Sequence, residues 1–169
     1  MASIEGVRAD EGFREFVGQH QRAWIRTAYL LTGDAHLAED LLQSVLIKVL
    51  GKWSGLDQPD AYVRKALVNQ YISWRRRPRR EIPRAEPPDR SYTSEDTALT
   101  RLMVQRALMR LSPRQRAVIV LRYYEDRTER ETAEILGCSL GTVKSQAHHA
   151  LARLREFTGV LTDIEEARR

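Results

Sequence analysis

The chain has 169 residues, of which 42% are hydrophobic, and its formal net charge is +5. This length is sufficient for one ordinary domain or for two small helical ones, each with its own core. The sequence has no run of about 18 apolar residues, which a membrane helix needs, and its acidic N-terminus does not resemble a secretory signal. Cys138 is the single cysteine, so an internal disulfide is excluded, and the four histidines form no zinc pattern. We therefore expect a cytoplasmic protein without a metal or other cofactor.

The positive charge is concentrated between about residues 75 and 157, whereas residues 1–74 are slightly acidic. This distribution fits contact with a polyanion through the basic part and contact with a protein surface through the N-terminal part. A solvated charged surface has the same composition, so charge alone leaves both interpretations open.

The N-terminal part of the sequence predicts three helices, of which the first two are clearly delimited. Apolar residues recur at helical spacing from Phe13 to Leu31, and Gly33 ends the first helix. Asp34 is placed to cap the second helix. The apolar stripe of this second helix, which we expect to be buried, consists of Leu37, Leu41, Val45, Ile47 and Val49.

The third helix and the segment after it are delimited by proline. Pro59 suits the first position of a helix that runs to about Arg77. From Pro78 to about Glu95 the sequence is rich in proline, arginine and acidic residues and has almost no apolar side chains. Such a segment cannot bury a core, so it predicts a flexible linker between two domains.

The second domain is predicted to contain four helices. The first spans about Thr97 to Leu111, and the second follows the capping box formed by Ser112 and Gln115. The last two belong to the motif described next. Because no strand-like alternation persists anywhere in the chain, the sequence predicts an all-α fold.

The segment from Thr128 to His149 has the pattern of a helix-turn-helix. Thr128 and Glu131 have the capping-box spacing, Gly137 can take the left-handed conformation that ends a helix, and Ser139 can cap the next one. In this motif the second helix enters the major groove of DNA.

One face of the helix after Ser139 is predicted to contact DNA, because its apolar residues fall on the opposite side of a helical wheel. Its short polar and cationic groups can reach base edges, and its lysine and arginine side chains can also bind phosphate. The residues of this face are Thr142, Lys144, Ser145, Gln146, His148, His149, Arg153 and Arg155. A solvated polar face is the alternative interpretation.

The third helix is a second candidate surface for nucleic acid. Aromatic and amide groups beside cations are suited to unstacked bases and a phosphate chain. The residues that share this side of the helix are Tyr62, Lys65, Asn69, Ser73 and Arg76. Tyr71 and Trp74 are predicted to belong to the core instead.

No pattern predicts a catalytic site, because no histidine or cysteine accompanies the adjacent acids Glu39 and Asp40 or Glu125 and Asp126 in a catalytic motif. We therefore do not expect an enzyme. A stand-alone helix-turn-helix regulator and a recombinase or transposase remain alternatives. The first needs a dimerisation helix and the second a carboxylate cluster or nucleophile, and neither is evident.

Four blocks of sequence resemble the extracytoplasmic-function (ECF) group of bacterial RNA polymerase sigma factors, in particular its SigE-like actinobacterial subgroup. They occur in the expected order and cover nearly the whole chain. The first joins RTAYLLTGD at 26–34 to AEDLLQ at 38–43, and the second joins AYVRKALVN at 61–69 to YISWRRR at 71–77. The third is LSPRQRAV at 111–118, and the fourth is GCSLGTVKS at 137–145.

The resemblance implies two helical domains and a role in promoter-specific transcription initiation with core RNA polymerase. Residues 1–77 would form region 2, a three-helix bundle, and residues 96–157 would form region 4, a four-helix domain with the helix-turn-helix. Residues 78–95 would be the linker near the RNA exit path, and residues 158–169 a short tail, either helical or disordered. Whether an anti-sigma factor also binds stays open.

The resemblance also implies three groups of site residues. The second helix would dock on the clamp coiled coil of the largest polymerase subunit through Glu39, Asp40 and Gln43, and region 4 would sit on the polymerase flap. The loop at 51–58, with Lys52, and the third helix would recognise and melt the −10 element through Tyr62, Lys65, Asn69, Ser73 and Arg76. The −35 element would be read by Ser139, Thr142, Lys144, Ser145, His148, His149 and Arg153. Asn69 occupies the family's asparagine position, whereas Ser73 replaces a common aspartate.

Overall fold

The computed structural model describes residues 4–76 and 95–167, with side chains described within 11–76 and 100–158. All regular elements in these ranges are helical, which confirms the all-α prediction. The helices are α1 (Ile4–Thr32), α2 (Ala35–Leu50), α3 (Pro59–Arg76), α4 (Glu95–Met109), α5 (Pro113–Ile119), α6 (Glu129–Leu136) and α7 (Leu140–Ala167). A 3₁₀ turn occupies Trp53–Gly55, and a π-helical turn at Val120–Tyr124 continues α5.

The predicted helix boundaries are confirmed where a local signal exists. The Asp34 carboxylate accepts a hydrogen bond of 2.9 Å from the backbone N–H of Leu37 at the start of α2. Gly33, with φ of 73°, ends α1 in the left-handed conformation. At the start of α5, the Ser112 hydroxyl accepts from the Gln115 N–H, and the Gln115 side chain accepts from the Ser112 N–H, both at 3.2 Å.

The first three helices form one packed unit around the indole of Trp24, which is fully buried. The rings of Phe13 and Phe16 pack against Trp53 in the turn after α2, with centroids 5.3 and 5.0 Å apart. In α2, Leu41, Val45 and Val49 are buried as predicted. Two other residues were predicted for that stripe: Leu37 is half-buried, and Ile47 is 72% exposed because it lies on the opposite face of the helix.

Helices α4 to α7 form a second unit with two small apolar clusters. Leu108, Leu111, Ile119 and Ala150 pack together in one of them. Val118, Ala133 and Val143 form the other, beneath the helix-turn-helix. The last helix continues to Ala167, beyond the end of the predicted domain at residue 157.

The two units pack directly against each other, which the sequence did not predict. Ala117, Val120 and Leu121 of the second unit are buried in the same cluster as Trp24 and Leu31 of the first. Of the predicted linker at 78–95, all but residue 95, which begins α4, lies outside the described residues. None of the helices described is both long and apolar enough to cross a bilayer.

Candidate nucleic-acid interface

The helix-turn-helix has the local geometry that its sequence predicts. At the start of α6 the Thr128 hydroxyl accepts from the Glu131 N–H at 3.1 Å, and the Glu131 carboxylate accepts from the Thr128 N–H at 2.7 Å. The backbone hydrogen bond from Thr128 is the main reason that the pKa of Glu131 is lowered. Gly137 ends α6 with φ of 60° and ψ of 42°, where a side chain would be strained. These signals fix the angle at which α7 leaves the turn.

The first turn of α7 uses Ser139 as its cap. The Ser139 hydroxyl accepts from the Thr142 N–H at 3.1 Å and lies 2.9 Å from the Thr142 hydroxyl. Its predicted role at DNA is therefore combined with a structural one. Lys144, which is exposed, lies 3.8 Å from the Glu129 carboxylate, a weak surface pair that a phosphate can replace.

Most of the predicted DNA-contacting face is open to solvent. Val143 and Ala150 are buried on the opposite side of α7 and pack it against the other helices of the second unit. The exposed residues are Ser139, Lys144, Ser145, His148, His149, Arg153 and Arg155, and Thr142 and Gln146 are half-buried. The rings of His148 and His149 meet edge-on with centroids 5.8 Å apart. In the ranges that the structure describes, no group of three or more histidine, cysteine or acidic side chains is arranged to hold a metal ion.

The second predicted surface lies along α3 and the turn before it. Lys65, Asn69, Ser73 and Arg76 are exposed on α3, and Tyr62 is half-buried at its start. The Lys52 ammonium lies 3.4 Å from the Tyr62 hydroxyl and 5.8 Å from the centre of its ring. The structure therefore brings Lys52 of the 51–58 loop to the same surface as Tyr62.

Asn69 is engaged by the other unit. Its amide Nδ2 donates a hydrogen bond of 3.0 Å to the backbone carbonyl of Ile135 in α6. The residues predicted for the two elements of a promoter are thus brought close together, because Ile135 precedes Ser139 by only four positions. No signal in the sequence predicted this contact.

A polar network below the α3 surface connects the two units. The Trp24 indole N–H donates to the Asp60 carboxylate at 2.8 Å, and Arg64 donates to both Asp60 oxygens at 3.0 and 3.1 Å. Burial by itself would raise the pKa of Asp60, but the hydrogen bonds from Trp24 and Arg64 outweigh it and lower that pKa. Arg64 also pairs with Glu125 of the second unit.

The predicted protein-docking residues lie on an exposed face of α2. Glu39, Asp40 and Gln43 are all exposed. The same face carries Ile47, 72% exposed, and Leu50, 47% exposed, which sequence analysis missed. The available signal was the helical spacing of Asp40, Gln43, Ile47 and Leu50, in which each residue follows the previous one by three or four positions, so that all four lie within about a quarter of the helix circumference.

Two family models match the chain, one for each unit. The model described as sigma-70 region 2 matches residues 16–81, and the model described as sigma-70 region 4 matches residues 101–154. The candidate sites on α2, α3 and the start of α7 therefore lie within the matched residues.

The chain is similar to curated proteins along most of its length. It is 42% identical over 149 residues to the RNA polymerase sigma-E factor of Streptomyces avermitilis, a match that covers 85% of this chain and 83% of the relative. It is 34% identical to the ECF RNA polymerase sigma factor SigL of Mycobacterium tuberculosis, with 92% and 94% covered. Among solved structures, the sigma factor RpoE in complex with the anti-sigma factor NepR from Bartonella quintana is similar, with a TM-score of 0.65 and 25% identity over 89% of this chain and 98% of that one.

Proposed function

The chain belongs to the sigma-70 family of RNA polymerase sigma factors, in its ECF group, and we propose how its residues divide the work of promoter recognition. As a member of that group it directs promoter-specific transcription initiation by core RNA polymerase. The proposal rests on the helix-turn-helix, whose first helix is capped at both ends and whose second helix presents an exposed polar face. The two units match the sigma-70 region 2 and region 4 models.

The −35 element is the proposed target of α7. Its first turns present hydroxyl, imidazole and amine groups, which suit base edges in the major groove. Arg153 contributes a phosphate contact that sets the position of the helix, whereas Lys144 can reach either a base edge or a phosphate. The residues assigned to this element are Ser139, Thr142, Lys144, Ser145, His148, His149 and Arg153.

The −10 element is the proposed target of α3 and the 51–58 loop. Tyr62 offers a ring for stacking on an unpaired base, and the Asn69 amide offers both a donor and an acceptor to a base edge. Cations beside them compensate the phosphates of separated strands. The residues assigned to this element are Lys52, Tyr62, Lys65, Asn69, Ser73 and Arg76.

Core polymerase is the proposed partner of the exposed face of α2. Acidic and amide groups at Glu39, Asp40 and Gln43 lie beside Ile47 and Leu50, so the face combines apolar area with a polar rim, as protein interfaces do. We assign residues 1–77 to region 2, 78–95 to the linker, 96–157 to region 4 and 158–169 to a tail. Region 4 is proposed to contact the polymerase flap.

Three further features complete the proposal. The similar sigma factor of Bartonella quintana is bound to an anti-sigma factor, and we propose a partner of that class for this chain as well. The protein acts in the cytoplasm, where polymerase and chromosome are found. It catalyses no reaction of its own, so the chemistry of initiation belongs to the polymerase.

The division between the two DNA surfaces can be tested with a pre-melted promoter. Replacing Lys144 or His149 should cost about 1 to 3 kcal/mol of binding where the side chain holds a base edge, and the loss should depend on the −35 sequence. Replacing Tyr62 or Asn69 should remove about 1 to 3 kcal/mol of stacking or base capture and slow strand opening.

The measurement compares each variant on duplex promoter and on the same promoter with an open −10 bubble, recording closed binding and open-complex formation. The bubble should partly rescue Tyr62 and Asn69 variants and leave Lys144 and His149 variants unchanged. An equal response of both sets would contradict the division.

A further inference from the structure

The loop at 51–58, between α2 and α3, is attached to the core of the first unit through two apolar side chains. Trp53 and Leu56 are half-buried and pack against that core. The remaining side chains of the loop are exposed, namely those of Lys52, Ser54, Asp57 and Gln58. Because Lys52 and Ser54 are the direct neighbours of Trp53 in the chain, the position of Trp53 determines where both are presented.

Trp53 packs against two phenylalanines of α1. The centroid of its ring lies 5.3 Å from that of Phe13, with an interplanar angle of 73°, and 5.0 Å from that of Phe16, with an angle of 38°. Aromatic pairs at such distances and tilts stabilise a structure beyond the burial of their area. We refer to the rings of Phe13, Phe16 and Trp53 as the loop anchor.

The loop anchor continues into the core and reaches the start of α3. The ring of Phe16 also packs against that of Trp24, with centroids 5.0 Å apart, and Trp24 is fully buried. The Trp24 indole N–H in turn donates a hydrogen bond of 2.8 Å to Asp60, in the first turn of α3. Helix α1 therefore holds the loop at Trp53 and also holds the helix that follows the loop.

The backbone hydrogen bonds of the loop are local. The N–H groups of Gly51 and Lys52 donate to carbonyls of α2, and those of Gly55 and Leu56 donate to carbonyls three positions earlier, within the loop. A single 3₁₀ turn of this kind has poorer hydrogen-bond geometry than an α-helix. Segments with few buried apolar contacts open locally at a low cost in free energy. The conformation of the loop therefore depends on the loop anchor.

The loop anchor lies next to residues proposed to bind the −10 element. The Lys52 ammonium is 3.4 Å from the Tyr62 hydroxyl, in an exposed contact. A loop released from α1 would place Lys52 in many positions relative to Tyr62, so an unpaired base would meet the productive arrangement only part of the time. The apparent affinity for that base would fall in proportion to the productive fraction.

We propose that Phe16 and Trp53 are positioning residues for −10 recognition, because the loop anchor sets the conformation of the 51–58 loop before DNA binds. Helix α1, to which no DNA contact is assigned, thereby contributes to the choice of −10 sequence. The proposal rests on the proposed function, since it concerns how the same −10 surface is formed. It makes Trp53 a support for the loop and not a platform on which a base stacks.

The first part of the test measures the order of the loop in the free protein. Hydrogen–deuterium exchange of the amides at 51–58, followed by mass spectrometry, reports how often their hydrogen bonds open. Trp53→Leu and Phe16→Leu should each speed this exchange about tenfold, because each removes one side of the same contact. The double variant should add little to the larger single effect. Trp53→Phe keeps a ring and should restore most of the protection.

Tyr29→Leu is the matched control for loss of a ring from the core. Tyr29 is a half-buried residue of α1 that packs against the same core, but it lies about 24 Å along the helix from Phe13. This variant should change neither the exchange of the loop nor the recognition of the −10 element, whatever its effect on stability. Circular dichroism identifies any variant that is unfolded, and if Trp53→Leu is unfolded, Phe16→Leu provides the test.

The second part measures discrimination between promoters. The rate of open-complex formation with core polymerase is compared on a promoter mapped by run-off transcription and on the same promoter with single −10 bases changed. Base capture needs the ordered loop, whereas phosphate contacts carry no sequence information. The ratio of the two rates should therefore fall about fivefold to tenfold for Trp53→Leu and for Phe16→Leu, and recover in Trp53→Phe. The corresponding ratio for changed −35 bases should stay the same.

Four outcomes would overturn the proposal. Unchanged loop exchange in the folded leucine variants would do so whether or not a promoter is found, and so would an unchanged −10 ratio. An equal fall in the −35 ratio would indicate general damage. A lower −10 ratio for Trp53→Leu alone, with Phe16→Leu unchanged, would mean that Trp53 contacts DNA itself. Failure of the unmodified chain to direct transcription would instead contradict the proposed function, because the exchange measurement does not depend on that function.

Discussion

Arg116 offers the sharpest test of how the structure is held together. Its side chain is 4% exposed, yet its guanidinium donates five hydrogen bonds. Three of the acceptors are carbonyls at the C-terminal end of α4 or just beyond it, at Leu108, Met109 and Leu111. The other two belong to the first unit, the Leu31 carbonyl at 2.7 Å and the Tyr71 hydroxyl at 2.8 Å. One cation therefore neutralises the negative ends of α1 and α4 together.

Replacing Arg116 with methionine keeps most of the volume and removes all five donors. Each buried acceptor left without a partner costs about 1 to 3 kcal/mol, but Leu108 keeps its backbone bond from Leu111 and the tyrosine hydroxyl can reorient. We therefore expect a loss of about 3 to 5 kcal/mol, in the range for breaking a buried charged contact. Against a typical total of about 5 to 15 kcal/mol, this is a large fraction of the stability.

Urea unfolding followed by circular dichroism measures this loss directly. Arg116→Lys should be intermediate, because an ammonium has three donors and no planar fork. Arg106→Met, an exposed arginine of α4, is the matched control and should change stability by less than about 0.5 kcal/mol. A loss below about 1 kcal/mol for Arg116→Met would refute the role assigned to this residue, provided that the slope of the unfolding free energy against urea concentration is unchanged.

The remaining predictions concern acid stability and docking. Because the pKa of Asp60 is lowered from its ordinary value of 3.8, its contribution is present above that value and lost as pH falls below it. Asp60→Asn should therefore be less stable than the unmodified chain at pH 7, with the difference shrinking toward pH 3 in urea unfolding; a constant difference would contradict this, and Asp57→Asn is the exposed control. Asp40→Arg and Ile47→Asp should each weaken core polymerase binding at least tenfold while circular dichroism stays unchanged. Glu11→Arg, at an exposed position of α1, is the control and should bind core polymerase normally. Normal binding by both α2 variants would contradict the assignment of α2 as the docking surface.

The sequence was sufficient to predict the structure wherever that structure depends on residues three or four positions apart. The caps at Asp34, Ser112, Thr128 and Gly137 were all predicted, because capping is a contact between near neighbours and leaves a recognisable spacing. The all-α fold follows from the same periodicity. The exposed face of α7 was also predicted, although its contacts with DNA remain a prediction.

The sequence was insufficient where distant residues meet. Nothing in the sequence distinguishes Arg116 from the other arginines of the chain. Only the tertiary structure places it against Leu31, which is 85 positions away. The contact between Asn69 and Ile135 is equally nonlocal. Ile47 was misplaced because apolar residues were assigned to the core without regard to the face they occupy, although surfaces that bind partners also carry apolar side chains.

The central claim is that this chain confers promoter specificity on core RNA polymerase through two separate DNA surfaces. Run-off transcription with core polymerase on a library of genomic fragments, with the start sites mapped, tests it most directly. The account predicts discrete start sites preceded by shared −10 and −35 sequences, with lower yield for Asn69→Ala and for Lys144→Ala. A yield no more specific than that of core polymerase alone, on every fragment, would contradict it.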